Sequence, residues 1–334
     1  MSSVDPSSRF ARSGPEGWGA ARSPGVSPST HGNARAATED SAAGLTSRVP
    51  ERVGVLGGGR MGSGIAHAFA VAGARVVVVE RDRESADASG RRIRDSLRRT
   101  AERSATAGEP LSPLDALSSA FTITTDVSLF ASCGLVVEAV PEDRTLKAAE
   151  LARAEAAIAP GAVLATNTSS IPIEALAESL ARPERFLGLH FFNPVPSSQL
   201  VEIIVGSSTD SAVVDDAFGW VSALGKRPII VRDSPGFASS RLGVMLGLEA
   251  IRMLEEGVAS AEDIDAAMEL GYRHPIGPLR TTDVVGLDVR LAIAEELERT
   301  LGERYTPPEL LRRMVADGHL GRKSGRGFYE WNDR

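Results

Sequence analysis

The sequence predicts an α/β protein in which a doubly wound sheet is followed by an all-helical region. Three observations carry this. Strand and helix alternate from Val53 onward, a glycine-rich turn joins the first strand to the first helix, and beyond Asp233-Ser-Pro-Gly236 only helical periodicity remains. Arg52 to Gly57 is the first strand, about Met61 to Ala72 the first helix, and the β-branched run Arg75 to Glu80 the second strand, forming a βαβ unit. An arginine-rich helix covers Arg83 to Ser104. Further strands are expected at Phe121 to Thr125, Leu135 to Ala139, Ala162 to Thr166, Arg185 to His190, Leu200 to Val205 and Pro228 to Arg232. Pro235-Gly236 breaks this pattern and marks a domain boundary, with a sheet domain over 50–232 and a helical domain over 237–331. Helices are expected there at Phe237 to Glu256, Ala261 to Leu270, Leu287 to Leu301 and Pro308 to Ala316.

Residues 1–48 are Ser, Gly, Ala, Pro and Arg with few large apolar side chains, so a disordered tail is expected. They contain no apolar core of a secretory signal, and Asp5, Glu16, Glu39 and Asp40 weaken a transit-peptide reading. A net charge of −7 argues against bulk attraction to nucleic acid or to an anionic membrane. No apolar run approaches the roughly 18 residues that would span a bilayer. The single cysteine, Cys133, has no internal partner and is expected to be a buried, inert thiol, which fits a reducing, cytoplasmic setting.

Gly57-Gly58-Gly59-Arg60-Met61-Gly62 matches G-x-G-x-x-G where the mechanism requires it, after a strand and opening a helix. Gly57 permits the turn, Gly59 lets backbone approach a pyrophosphate, and Gly62 lets helix and sheet pack closely. Glu80 ends the next strand 18 residues after Gly62, where a carboxylate accepts from a ribose 2′-hydroxyl and repels a 2′-phosphate. A Rossmann-type site for NAD is therefore expected in preference to NADP, although Arg81 and Arg83 leave room for the phosphate. The bland alternative is a glycine-rich turn without a ligand.

The segment His190-Phe-Phe-Asn193-Pro is followed by Glu202, twelve positions after the histidine. Two strands paired as neighbours would bring the imidazole and carboxylate together. A lone histidine at a strand end is more often a satisfied core residue, but a carboxylate partner fixes the ring tautomer and stabilises the imidazolium formed on proton transfer. Oxidising an alcohol needs such a base while hydride leaves for nicotinamide. Asn167-Thr-Ser169-Ser170 follows a strand at its carboxyl end, where open sheets bind ligands, and its bland reading is a helix N-cap before Pro172.

Together with Val137-Glu-Ala-Val-Pro-Glu142, Gly277-Pro-Leu279, Asp283-Val-Val-Gly-Leu-Asp288 and Gly321-Arg-Lys-Ser-Gly-Arg-Gly-Phe-Tyr329, these motifs make residues 52–331 resemble the L-3-hydroxyacyl-CoA dehydrogenase family, of the 3-hydroxybutyryl-CoA kind. The resemblance implies an NAD-dependent oxidation of a short-chain 3-hydroxyacyl-CoA. It implies His190 as base, Glu202 as its orienting partner, Ser169 on the 3-oxygen, and Asn193 beside the oxygen and nicotinamide. It further implies cofactor contacts from Glu142, Lys147, Asn193 and Lys323, CoA contacts from Ser96 and Arg103, and dimerisation through the helical domain. Lys147 read on its own is an exposed ion pair of little weight, and the arginines 91, 94, 98 and 99 are a solvated face. Lys323 is expected to reach back across the domain cleft. One departure stands out, because Pro235-Gly-Phe-Ala-Ser-Ser240-Arg carries Ser240 where the family pattern has Asn near the reacting carbon. That opens the reading to a longer, carboxylated or carrier-protein-bound acyl thioester. From another class, the chain could be a catalytically silent dinucleotide-binding or structural protein.

Overall fold

The computed structural model describes residues 48–107 and 117–331, without the side chains of 103–107. The tail expected over 1–48 falls outside the described residues save for Arg48. Eight strands, β1 (Arg52–Leu56), β2 (Arg75–Val79), β3 (Phe121–Thr124), β4 (Leu135–Glu138), β5 (Val163–Thr166), β6 (Phe186–Phe191), β7 (Leu200–Val205) and β8 (Arg227–Arg232), form one sheet in the order β3-β2-β1-β4-β5-β6-β7-β8. Pairing is parallel from β3 through β6, antiparallel between β6 and β7, and parallel again to β8. The strand order reverses between β1 and β4, which opens a crevice at their carboxyl ends, the place where such sheets take ligands.

The inner strands are continuous apolar runs because both sheet faces are covered. Along β2, Val76 and Val78 join the core on one face, and Val77 and Val79 the core on the other, as the two-residue period of a strand dictates. Helix α1 (Arg60–Val71) and the long α2 (Arg83–Ala107) follow β1 and β2, α3 (Arg144–Ala157) follows β4, the short α4 (Ile173–Ala177) follows β5, and α5 (Ser211–Ala223) follows β7. Cys133 is 2% exposed, and burial pushes its thiol up to about 11, so it is not a ready nucleophile.

After β8 the chain is helical, with α6 (Ser239–Glu255), α7 (Ala261–Ala266), α8 (Pro278–Val285), α9 (Leu287–Leu301) and α10 (Glu309–Ala316). The helix expected from Ala261 to Leu270 is α only to Ala266 and continues as a π-turn over Ala267–Gly271. Helices α5 and α8 were not anticipated. Leu248, Ile251, Leu279, Leu287, Leu297 and Leu311 centre a core of their own among these helices. Phe237, just ahead of α6, packs instead into a sheet core, with a left-handed φ of 50° that follows Gly236 at 72°. A bulky residue tolerates that conformation only where packing holds it. Among the described residues no helix is long and apolar enough to cross a membrane.

Gly62 is where this arrangement tolerates least. A Cβ there would lie 1.8 Å from the Gly57 carbonyl oxygen, so α1 could not sit against the turn. We expect Gly62→Ala to destabilise the chain by about 1–3 kcal/mol or more, read as a lowered midpoint in urea unfolding.

Candidate active site

The crevice beside β1 is built by backbone geometry. Gly57 turns the chain at φ 89° and its amide donates to Val79 O at 2.8 Å. A Cβ at Gly58 would strike Ser89 Oγ at 2.1 Å, whereas one at Gly59 would meet nothing within 4 Å. The chain is thus closed behind Gly58 and Gly62 and open in front of Gly59. There the first-turn amides of α1, at Arg60, Met61 and Gly62, have no partner inside the helix and suit a diphosphate. A cleft of about 690 Å³ runs from Gly57, Gly59 and Met61 to Glu80 and Val140. Glu80 Oε1 accepts from Gly58 N and from Ser89 Oγ, both at 2.8 Å. The carboxylate is thereby held at the cleft wall, where it disfavours a phosphorylated ribose. Ser89 is a supporting residue that no motif revealed. These features fit a nicotinamide dinucleotide.

At the other end of the crevice, β6 and β7 pair with His190 directly opposite Glu202. Their side chains share one face of the sheet, and Nδ1 lies 2.7 Å from Oε2. Glu202 is fully buried and His190 is 6% exposed. The same carboxylate accepts from Ser239 Oγ at 2.7 Å, Ser239 N at 2.8 Å and Ala238 N at 3.3 Å, so it also caps the N-terminus of α6. Burial pushes the Glu202 carboxyl up, but the hydrogen bonds from His190 and Ser239 outweigh it and hold the group below its ordinary value. An ionised carboxylate only accepts, so Nδ1 carries the proton and Nε2 is left as the acceptor. The rings of Phe192 and Phe237, at centroid distances of 4.5 and 5.8 Å, border the imidazole. Ser239 and Phe237 were missed by sequence reasoning, since the family-like pattern drew attention to their neighbour Ser240. That residue lies in the first turn of α6, beside the Glu202 cap.

Between the two ends stands an ionic cluster in which Lys147 and Glu138 are buried and Glu142 is partly exposed. Lys147 Nζ donates to Glu138 Oε1 at 2.8 Å and lies 3.2 Å from Glu142 Oε2. Lys147 is 1% exposed, which corrects the reading of a surface ion pair: α3 aims it inward at the end of β4. Glu138, the last residue of β4, was not recognised as a partner, although a carboxylate closing the buried run Leu135-Val-Val was a signal. It also accepts from Thr166 Oγ1 and Val140 N, each at 2.6 Å. Burial nevertheless pushes the Glu138 carboxyl up. In Glu142 burial acts in the same direction, but Lys147 and the donors of the serine loop bring the carboxyl below its ordinary value. Those donors are Thr168 Oγ1 at 2.6 Å, Ser169 N at 3.0 Å, Ser170 N at 3.2 Å and Ser170 Oγ at 3.0 Å. Ser169 and Ser170 are therefore not the N-cap of α4, whose cap position is Pro172 without a side-chain bond. They are held to Glu142, whose side chain is 37% exposed and which the loop's donors and Lys147 fix in place. Asn167 Oδ1 accepts from Phe191 N at 2.8 Å and fixes the end of β6 next to His190.

Asn193 lies outside the buried pair, on a second cleft of about 520 Å³ lined by Arg60, Ser63, Arg92, Ser96 and Arg99. Ser96 Oγ is 2.7 Å from His67 Nδ1. Arg91, Arg94, Arg98 and Arg99 are exposed as expected, but it is Arg92 and Arg99, with Arg60, that border the cleft. Arg103 is on α2, its side chain outside the described residues. Lys323 does not reach across to the sheet. Its Nζ lies 2.5 and 2.6 Å from the Asp288 carboxylate at the start of α9.

The comparisons with known proteins agree along the described chain. The family model for the 3-hydroxyacyl-CoA dehydrogenase NAD binding domain matches residues 52–234, and the model for the C-terminal domain of the same enzymes matches 236–331. A probable 3-hydroxybutyryl-CoA dehydrogenase of Deinococcus radiodurans is 43% identical over 281 residues, 84% of this chain and 100% of the relative. The 3-hydroxybutyryl-CoA dehydrogenase of Mycobacterium tuberculosis is 44% identical over 285 residues, 84% of this chain and 98% of its own. The crystal structure of (S)-3-hydroxybutyryl-CoA dehydrogenase from Ralstonia eutropha superposes with a TM-score of 0.80 at 38% identity, covering 85% of this chain and 100% of that one.

Two expectations test the buried charges. Lys147→Met strands the buried Glu138 carboxylate and is expected to cost about 3–5 kcal/mol in urea unfolding, part of it recovered when Glu138→Gln is added. For Glu202, a folded carboxyl below its ordinary 4.5 means its stabilisation is fully present above that pH and is lost as pH falls through the folded value. Glu202→Gln should therefore be less stable by about 1.5–3 kcal/mol at neutral pH, with the deficit shrinking as unfolding is followed below pH 4.5.

Proposed function

The chain belongs to the 3-hydroxyacyl-CoA dehydrogenase family of oxidoreductases acting on CH–OH groups, and from that premise we propose that it reversibly oxidises a short-chain (3S)-3-hydroxyacyl-CoA, such as 3-hydroxybutyryl-CoA, to the 3-oxoacyl-CoA. The observation that carries this reading is the His190–Glu202 pair at 2.7 Å at the end of β6, on the same sheet as the dinucleotide crevice. NAD, when bound, supplies the hydride acceptor.

The chain's own residues do the rest. His190 Nε2 takes the proton of the 3-hydroxyl, and Glu202 holds the ring in the accepting tautomer and stabilises the imidazolium that results. Ser169, on the loop that Glu142 tethers, holds the 3-oxygen, while Asn193 lies over the nicotinamide side. Gly57, Gly58, Gly59, Arg60, Met61 and Gly62 receive the diphosphate, Glu80 the ribose, and Asn167 and Glu142 complete the cofactor side, with the buried Lys147 holding Glu142 in place, whereas Lys323 stays with Asp288 in the helical region. Ser96 and Arg103 take the CoA moiety, and the guanidinium groups beside Ser96 suit its phosphates because each donates two parallel hydrogen bonds. A second copy of the chain completes the molecule through the helical region, where Leu242, Leu270 and Tyr272 are exposed. The buried, hydrogen-bonded base favours this reading over that of a silent dinucleotide-binding protein, which has no use for one.

His190→Gln is expected to retain NADH binding, followed by fluorescence, and to reduce acetoacetyl-CoA about 10²–10⁴-fold more slowly than the parent in the NADH absorbance assay. Near-normal turnover would remove His190 from the mechanism.

A further inference from the structure

Among the described residues, the helical region buries one cation that has no counter-ion. Arg290, one turn into α9, is 6% exposed, and its Nε is fully buried without a hydrogen-bond partner. Among the described residues, no hydrogen bond or ion pair reaches any of its side-chain nitrogens. Burial pushes the guanidinium down to about 10, which leaves it charged at neutral pH. Proteins rarely bury a charge in this way, because the lost hydration must be replaced by a partner.

Its position says what the partner is for. A Cβ on Gly247 would lie 3.8 Å from Nε and 4.0 Å from Cδ of Arg290, and a Cβ on Gly243 would lie 3.4 Å from Nη1. The side chain therefore runs along α6 from Gly247 to Gly243, toward the N-terminal end of that helix. Ser240, Gly243 and Gly247 fall at the i, i+3, i+7 spacing of one helix face. Nη1 is thus beside the residue one turn, about 4.5 Å of rise, beyond Ser240. The turn that carries Ser240 also carries Ser239, which donates to Glu202 of the histidine pair. Two glycines in the interior of a helix weaken it, and here they leave the channel in which the guanidinium lies.

We infer that Arg290 is the specificity determinant of an acyl pocket that prefers acyl chains ending in a carboxylate. This rests on the hydroxyacyl-CoA reading above. The phosphates of the CoA moiety fall to Arg60, Arg92 and Arg99 beside Ser96, and the acyl end extends past Ser240 to the buried guanidinium. A carboxylate fits because it accepts two parallel hydrogen bonds from the planar fork and neutralises the charge that the fold leaves uncompensated. A methyl terminus does neither.

The test compares 3-oxoadipyl-CoA with 3-oxohexanoyl-CoA, equal in chain length and different only in the terminal carboxylate, with acetoacetyl-CoA as reference. The parent is expected to favour the carboxylated substrate in kcat/KM by about ten- to a hundredfold, the range of a charge-assisted hydrogen bond in a buried site. Arg290→Met should abolish that ratio. Arg290→Lys, which keeps the charge and loses the fork, should give an intermediate ratio and serves if the methionine variant does not fold. Turnover of acetoacetyl-CoA with no preference for the carboxylate, or a preference that survives both substitutions, would overturn the assignment and leave the hydroxyacyl-CoA reading standing. No turnover of any of the three would overturn both.

Discussion

The Glu202 carboxylate is the interaction on which the site is built. It is buried on β7, opposite His190 on β6, and it accepts from the imidazole, from the Ser239 hydroxyl and from the first amides of α6. One group therefore sets the ring tautomer and anchors the helical region to the sheet. The desolvation cost of burying it is offset only while all these donors are in place, so the geometry of the pair and the seating of α6 stand or fall together. Phe237 serves the same joint from the apolar side, held in a left-handed conformation while its ring fills the sheet core beside His190.

The other buried charges of the sheet follow a related logic. Lys147 answers Glu138 and Glu142 at once, and Glu142 in turn ties down the loop of Thr168, Ser169 and Ser170. The loop at the carboxyl end of β5 is thus ordered by a side chain from the β4–α3 loop, and its serines bind that carboxylate rather than capping α4. Arg290 breaks this rule: it is buried too, and among the described residues its side chain has no partner. A charge balanced within the protein rigidifies a site, whereas one left unbalanced selects what enters it.

Glycine placement shows which surfaces are packed and which are kept free. At Gly62 and Gly58 a side chain would collide with the neighbouring turn or with Ser89, while at Gly59 there is open space. Gly58, Gly59 and Gly62 thus do different things, the outer two packing the turn closely against its neighbours and Gly59 leaving room for a ligand's approach. Gly243 and Gly247 make the corresponding allowance for Arg290 on α6.

The sequence by itself determined the βαβ start, the glycine turn, the change to helix after Pro235-Gly236 and the two strand patterns that bring His190 and Glu202 together once paired. These are short-range patterns, written in two- and 3.6-residue periods and in turn residues whose conformations are local. The burial of Lys147, the tether of Ser169 and Ser170 to Glu142, the pairing of Lys323 with Asp288 and the channel for Arg290 were decided by tertiary structure alone. Each depends on which element packs against which, and a long polar side chain reads the same in sequence whether it ends in water or in a carboxylate brought from elsewhere in the chain. Helices α5 and α8 escaped for a related reason. Apolar residues such as Val213, Ala217 and Val221, or Pro278 and Leu279, become a buried stripe only once the sheet or the neighbouring helices supply the surface they cover.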